Sequence, residues 1–505
     1  MSRRSQQIEA LFQQGQRLHG TGRLSEAEPI YRQVLAAAPR HAEALHALGA
    51  LALQAGRADA AEALVKQAIA LKPAAMFHLT RAHVLLALRR PTLAERACRL
   101  VLRARPDSAE AHQALGHALS DGGDAQAAIE AYRQALRLNP DLPDIRNNLG
   151  SALRQANRLE AAEQELRAAP PEAGTLVNLS SVQKERGAFD RAEATLRQAL
   201  ALAPGDPILH YNWSLLMLLL DRPEQAWAGW EQRFRAGAVP ARHVPRPEWN
   251  GDSLGDRTLL VHPEQGLGDT IQFCRYLPAI TGRVVFDAPP KLTRLLSSNP
   301  AMPPMGTAGT TRFDVVAPLL SLPARMTEKS AGPPYLAAEP ERESAWRDRI
   351  GATGFRVGIA WQGFSGRHED KGRSIPLTAF RSLALLGVRL ISLQKGEGEA
   401  QIAGAGFPVE TLAGLDAGPD AFLDTAAVMR TLDLVVTSDT AIPHLAGALG
   451  CPVWVALRLV PDWRWMVHRS DSPWYPTMRL FRQSRDGDWS TVFAEIAAAL
   501  ADRLP

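Results

Sequence analysis

The sequence predicts an α-helical solenoid followed by an α/β region made of two parallel-sheet halves. Two observations predict it. Prolines that end apolar helical stretches recur at a near-constant interval through the first part of the chain. After about residue 240 the composition then shifts from Ala, Leu, Arg, Gln and Glu to Pro, Gly and β-branched residues. Beyond that point apolar strand-like runs alternate with helical stretches, the pattern of parallel strands covered on both faces. A chain of 505 residues is too long for one core, which agrees with a division into domains.

The prolines of the first part are Pro39, Pro73, Pro106, Pro140, Pro170 and Pro204, at steps of 34, 33, 34, 30 and 34. A turn residue precedes each second helix: Gly22, Gly56, Gly123, Asn157, Gly187 and Asp221, with the unit around Arg89–Pro91 lacking one. Leu48, Gly49, Gly56, Ala61, Ala68 and Pro73 recur as Leu115, Gly116, Gly123, Ala128, Ala135 and Pro140. Small residues at fixed sites let two helices approach closely, and proline stops the second helix before the next pair begins. The pattern resembles the tetratricopeptide repeat, and it implies about seven helix pairs stacked over residues 1–237. Asn148, Asn178 and Asn212 fall at the same place in three successive units. An asparagine side chain offers both an acceptor and donors, so such a row can clamp a peptide backbone without reading its side chains. The row resembles the asparagine ladder of O-GlcNAc transferase, and the other reading is that Asn suits an exposed helical position.

In the second part, strands are expected at Thr258–Val261, Val284–Phe286, Val315–Ala317, Val357–Trp361, Val388–Leu393, Leu434–Val436 and Val453–Leu457. Helices are expected at Thr270–Leu277, Lys291–Ser298, Ala379–Leu386, Ala421–Leu432 and His444–Leu449. These form two Rossmann-like halves, 250–340 and 354–505, joined by the Pro-rich, charged stretch "AGPPYLAAEPERESAWRDRI". Ligands of open parallel sheets bind beyond the carboxyl ends of the strands. The segments expected there are "EQGLGDT", "WQGFSG", "LQKGEG" and "TSDTAIPH". In the last of these Ser438, Asp439 and Thr440 open a helix, where free amides and the macrodipole favour an anion, and His444 adds a donor about one turn on. The alternative for these residues is a plain cap and a packed helical histidine.

"DTAIPHLAGALGCPVW" closely resembles the signature of the family 9 glycosyltransferases, the heptosyltransferase group, except that Pro443 replaces a small residue. "LGDTIQFCRYLP" resembles that group's Gly-Asp helix start and "DKGRSIPLTAF" its basic donor-binding segment. Joined to the repeats, the chain looks like a bacterial repeat-bearing glycosyltransferase, similar in architecture to O-GlcNAc transferase. The resemblance implies a GT-B fold that transfers a sugar from a nucleotide-sugar to a protein or glycan acceptor, with no cofactor and no metal. By its motifs Asp439, Thr440 and His444 hold donor phosphates and sugar, with Ser438 beside them. Arg373, or Lys371 in its stead, takes the phosphate-binding basic position. Gln394 and Lys395 sit near the nucleoside, and Asp269 is the general base. A helix cap is the other role for Asp269.

Other readings have less support. A net charge of +4 with Lys and Arg dispersed does not suit a nucleic-acid binder. Cys98, Cys274 and Cys451 lie far apart, which argues against a disulfide framework or a zinc site and for a reducing compartment. The N-terminus has no apolar stretch behind its basic residues, and Leu215–Leu220 is far too short to span a membrane, so a cytoplasmic location is expected. Asp486-Gly487-Asp488 reads as a turn and cap rather than a metal site. Trp463, Trp465, Trp474 and Tyr475 read as packing a loop back onto the second half. The competing function is a repeat-based scaffold carrying a transferase-like domain without turnover.

Overall fold

The computed structural model describes residues 3–242, 244–326, 332–363 and 372–504, and the chain divides into two compact units, Met1–Leu202 and Ala203–Pro505.

The first unit is a helical repeat. Its pairs are α1 (Arg3–Gly20) with α2 (Leu24–Ala37), α3 (Ala42–Gln54) with α4 (Ala58–Leu71), and α5 (Ala75–Ala87) with α6 (Pro91–Ala104). They continue as α7 (Ala109–Asp121) with α8 (Ala125–Leu138), α9 (Ile145–Gln155) with α10 (Leu159–Ala168), and α11 (Ala173–Glu185) with α12 (Phe189–Leu202). Each turn within a pair uses one left-handed residue: Gly22, Gly56, Arg89, Gly123, Asn157 and Gly187 all have φ between 56° and 87°. Arg89 thus adopts the turn geometry without glycine, at a cost of about 1–2 kcal/mol. Close approach within a pair has a fixed address. A Cβ on Gly15, Gly49, Gly116 or Gly150 would lie 2.5–2.7 Å from Tyr31, Val65, Tyr132 or Leu166 respectively.

Helix pairing continues past Leu202, where the chain divides into its compact units. The seventh pair, α13 (Pro207–Leu219) with the short α14 (Trp227–Trp230), belongs to the second unit. The physical reason lies in its side chains. Trp230 donates its indole N–H to the Leu320 carbonyl (2.9 Å), and fully buried Arg233 donates to Glu264 (2.8 Å) and Ser321 (2.7 Å).

Beyond it come β1 (Thr258–His262), α15 (Leu267–Phe273), β2 (Arg283–Phe286), α16 (Thr293–Leu296), β3 (Val315–Pro318), α17 (Leu322–Arg325) and α18 (Pro340–Ile350). The remainder is β4 (Phe355–Ala360), β5 (Val388–Ser392), α19 (Leu423–Met429), β6 (Leu434–Ser438), α20 (Ala441–Ala448), β7 (Val453–Leu457), β8 (Met478–Arg482) and α21 (Trp489–Ala501). The strands form two parallel sheets, ordered β2-β1-β3 and β5-β4-β6-β7-β8. Every expected strand is present, and β8 is additional.

Most of the expected helices are shorter, while α20 starts earlier and is longer than His444–Leu449. Lys291–Ser298 holds only a 3-10 turn and the four-residue α16, and Leu377–Leu383 is a 3-10 helix in place of an α-helix over Ala379–Leu386. The Pro-rich, charged joint contains a helix. It carries α18, fastened by buried Trp346 and Ile350 and by the Trp346 N–H donated to Asp424 (3.0 Å). The larger sheet is sealed by Trp361, Phe380 and Phe493 beneath β4 and β6. Among the described residues no helix is long and apolar enough to cross a membrane.

Candidate functional site

In the larger sheet the strand order reverses between β4 and β6, the place where open α/β sheets leave a crevice at the strand ends. β6 ends at Ser438, and Thr440 caps α20, its hydroxyl accepting from the Ile442 N–H (3.3 Å). The first turn of α20 therefore opens on that crevice, with the positive end of its dipole. Arg373 arrives from beyond β4. A Cβ on Gly363 would lie 3.4 Å from Thr440 Cγ2 and 3.8 Å from Arg373 Nη2, so cap, backbone and guanidinium are within mutual reach.

The smaller sheet contributes α15. Gly268, in its first turn, permits a contact that a side chain would block: a Cβ there would sit 3.1 Å from Ala441 Cα and 3.3 Å from His444 Cδ2. Asp269 follows. Its Oδ2 accepts from the Gly266 N–H (2.9 Å), the bond expected of a helix cap, and its Oδ1 accepts from Arg464 Nη2 (2.6 Å). Arg464 also donates to Gln272 Oε1 (2.8 Å) and Asp462 Oδ1 (2.9 Å). One guanidinium thereby ties α15 to the loop after β7.

Charges here are close and little hydrated. Burial pushes the Asp439 carboxyl up and the neighbouring Asp462 carboxylate pushes it further, against the pull of Arg373 and Arg464. Burial would raise Asp462 too, but Arg464 outweighs it and holds Asp462 ionised below the usual range. Burial, then Arg464, Arg275 and Arg373, hold the His444 imidazole neutral, well below its ordinary value, with Asp462 opposing.

Several donors in this cluster are unsatisfied. Ser438 Oγ, Gln272 Nε2, Trp465 Nε1 and Arg373 Nε have no hydrogen-bond partner among the described residues, and the first three belong to residues with 0% exposure. Trp465 lies beside Asp439 without a hydrogen bond of ordinary geometry to it. Buried donors are seldom left unpaired, and a cluster of them suits a ligand rich in acceptor oxygens.

Of the residues expected from sequence, the fold gathers Ser438, Asp439, Thr440, His444, Arg373 and Asp269. Gln394 is otherwise engaged. Its Oε1 accepts from the Trp361 and Gln362 amides (3.0 and 2.9 Å), and its Nε2 donates to the carbonyls of Gln362 (2.8 Å) and Glu397 (2.7 Å), so the side chain braces the segment after β4. Lys395 donates to the Leu415 carbonyl (2.8 Å). Lys371 lies outside the described residues.

In the repeat unit Asn178 Nδ2 donates to Asn147 Oδ1 (2.9 Å), joining adjacent first helices, and Asn148 Nδ2 is buried without a partner among the described residues. Asn212, on α13 of the second unit, donates to the Ile208 carbonyl of its own helix (2.8 Å).

Asp488 caps α21, accepting from the Ser490 N–H (2.9 Å) after a left-handed Gly487, and no cluster of metal-ligating side chains occurs among the described residues. The aromatic loop follows expectation only in part. Trp463 packs on Trp230 (5.4 Å between ring centroids) and Phe273 (6.3 Å), beside the smaller sheet, and only Trp465 and Tyr475 flank α20 at His444.

Sequence reasoning missed Arg464, Asp462 and Gln272. The available signal was an Asp-x-Arg set among tryptophans, since charges inside an aromatic run need partners. Other concavities lie outside the crevice. One of about 530 Å³ is lined by Arg294, Arg342 and Trp346, and its arginines are already paired with Glu339 and Asp424.

The chain thus carries stacked helix-pair repeats in its first part and a parallel-sheet α/β region after them. Residues 18–84, 116–157 and 175–208 match the tetratricopeptide repeat family. The chain is similar to protein FlbA of Caulobacter vibrioides, 26% identical over 393 residues, 69% of this chain. The match spans 64% of that protein's own length. Among solved structures, the Cut9–Hcn1 hetero-tetramer of the APC/C is 18% identical with a TM-score of 0.39, covering 42% of each chain. PilF of Pseudomonas aeruginosa is 20% identical with a TM-score of 0.36, covering 41% of this chain and 96% of its own.

Proposed function

We propose that this chain is a glycosyltransferase that takes a sugar from a nucleotide-sugar and delivers it to a protein acceptor recruited by the repeats. The observation that carries the proposal is the convergence, where the strand order reverses, of Arg373, the capped start of α20 and four donors without a hydrogen-bond partner among the described residues. Breaking the bond between sugar and diphosphate puts negative charge on the leaving phosphate, and fixed donors in a dry site stabilise that charge strongly. In this reading the Arg373 guanidinium and the α20 dipole meet the phosphates, while His444 reaches a phosphate or sugar oxygen. Asp269 takes the acceptor hydroxyl's proton as the new carbon–oxygen bond forms and the nucleoside diphosphate departs. Its pair with Arg464 holds it aligned. Stacked repeats bind extended peptides, which assigns recruitment to the first unit.

Calorimetry with UDP, ADP, GDP and CMP tests the donor side. One of these binds the wild type, and Arg373→Ala weakens it at least tenfold, as loss of a charge-assisted bond worth about 1.5–3 kcal/mol requires. Absence of heat with all four, together with no hydrolysis of any common nucleotide-sugar, would leave the repeat scaffold as the function.

A further inference from the structure

We infer that Tyr475 is a positioning residue that fixes the His444 ring proton on Nε2, making the imidazole a hydrogen-bond donor to an oxygen of the bound ligand. Only the ligand's identity rests on the nucleotide-sugar reading.

The inference follows from a chain of hydrogen bonds whose ends have no choice of direction. Arg275, 2% exposed, can only donate, and its Nη2 lies 2.9 Å from the Tyr335 hydroxyl. The same guanidinium donates to the carbonyls of Trp474 (2.8 Å) and Gln272 (2.7 Å). At the other end the Ile271 carbonyl can only accept, and the Tyr335 hydroxyl donates to it at 3.0 Å. Tyr335 has therefore spent its one proton, and its oxygen is left to accept. The Tyr475 hydroxyl has a single proton and two acceptors in reach, His444 Nδ1 at 3.1 Å and the Tyr335 oxygen at 3.5 Å. The shorter bond goes to the histidine. An Nδ1 that accepts leaves the ring proton on Nε2.

Burial and the neighbouring arginines disfavour the doubly protonated ring. Arg275 faces it from the segment after α15, Arg464 from the loop after β7 and Arg373 from beyond β4, with Asp462 the opposing charge. The ring cannot readily turn over. It is stacked on Trp465 at 5.0 Å and 21°, and α15 closes on its Cδ2 edge at Gly268. Tyr475 is pinned in turn, because a Cβ on Gly447 would lie 2.3 Å from its ring. In this state Nε2 donates, and it does not act as a base.

Nitrogen-15 NMR of the full chain labelled at histidine reads the tautomer directly, with His444→Gln identifying the resonances. In the wild type near neutral pH, Nδ1 is expected at the shift of an unprotonated ring nitrogen and Nε2 at that of a protonated one. In Tyr475→Phe the two shifts move toward each other as the tautomers mix. The reverse pattern or an imidazolium in the wild type overturns the inference, and so does an unaltered pattern in Tyr475→Phe. If Tyr475→Phe does not fold, Tyr335→Phe replaces it. Without the Tyr335 oxygen, Tyr475 has only His444 to donate to, so the wild-type pattern persists, and a switch to the Nδ1 proton overturns the inference. The ligand-free spectrum stands apart from the transferase reading. A correct tautomer whose Nε2 resonance ignores all four nucleotides counts against that reading alone.

Discussion

Asp439 holds the least favourable charge among the described residues of the crevice. It is 9% exposed, and burial and Asp462 both raise its pKa. A carboxyl with a raised folded pKa contributes stability that is fully present below its unfolded value and is lost as pH climbs through the folded one. Asp439→Asn keeps the shape and removes that loss. The melting temperature of the variant relative to wild type should therefore be lowest near the ordinary aspartate range and rise steadily with pH. A difference that stays flat or falls between about pH 4 and 8 would show that the carboxyl is not strained. The sequence placed Asp439 correctly at a helix start but gave no hint of this strain. The strain depends on Asp462 and Arg464, which a separate loop brings in and which no local pattern connects to residue 439.

Helix pairing in the first unit depends on a contact sixteen residues apart, and Gly116 against Tyr132 is among its tightest instances. A Cβ on Gly116 would lie 2.5 Å from the Tyr132 ring, which is buried and cannot move aside freely. Gly→Ala in an exposed helix gains up to about 1 kcal/mol, but overpacking here costs about 1–3 kcal/mol, so Gly116→Ala should lower the stability of the repeat unit. Gly174→Ala, with nothing within 4 Å of the added carbon, is the control and should not lower it. Equal melting temperatures for the two variants would refute the contact. This spacing was legible because a repeat prints the same packing demand several times. In the α/β region the strands were more legible than the helices, of which α15, α19 and α20 were placed with shifted ends. β8 escaped notice because "MRLFR" alternates with arginines, and α18 because its charged residues leave just Trp346 and Ile350 to mark a buried face. The short helices were overcalled because their apolar runs resemble α-helix, while prolines such as Pro278 and Pro290 hold the backbone in 3-10 turns.

For the whole molecule, the change of composition near residue 240 marked two architectures, yet the compact units part after Leu202. Composition follows the repeat pattern, whereas compactness follows contacts such as Trp230 to Leu320 and Arg233 to Glu264, which join residues some 31 to 90 apart in sequence. Two units with their own cores are expected to unfold in two calorimetric transitions. A ligand that binds only the folded second unit stabilises only that unit. At a concentration of about 100 times its Kd the gain is about 2.7 kcal/mol. With an unfolding entropy of about 2.1 cal/mol/K per residue over the second unit, Ala203–Pro505, the affected transition should rise by roughly 4 °C. Scanning calorimetry of the full chain, with the nucleotide diphosphate that binds best, should show one transition displaced upward and the other fixed. Gly116→Ala identifies which is which by lowering the repeat transition alone. Displacement of the repeat transition by the nucleotide would put the ligand outside the β4–β6 crevice and remove the basis for assigning Arg373 and α20 to it.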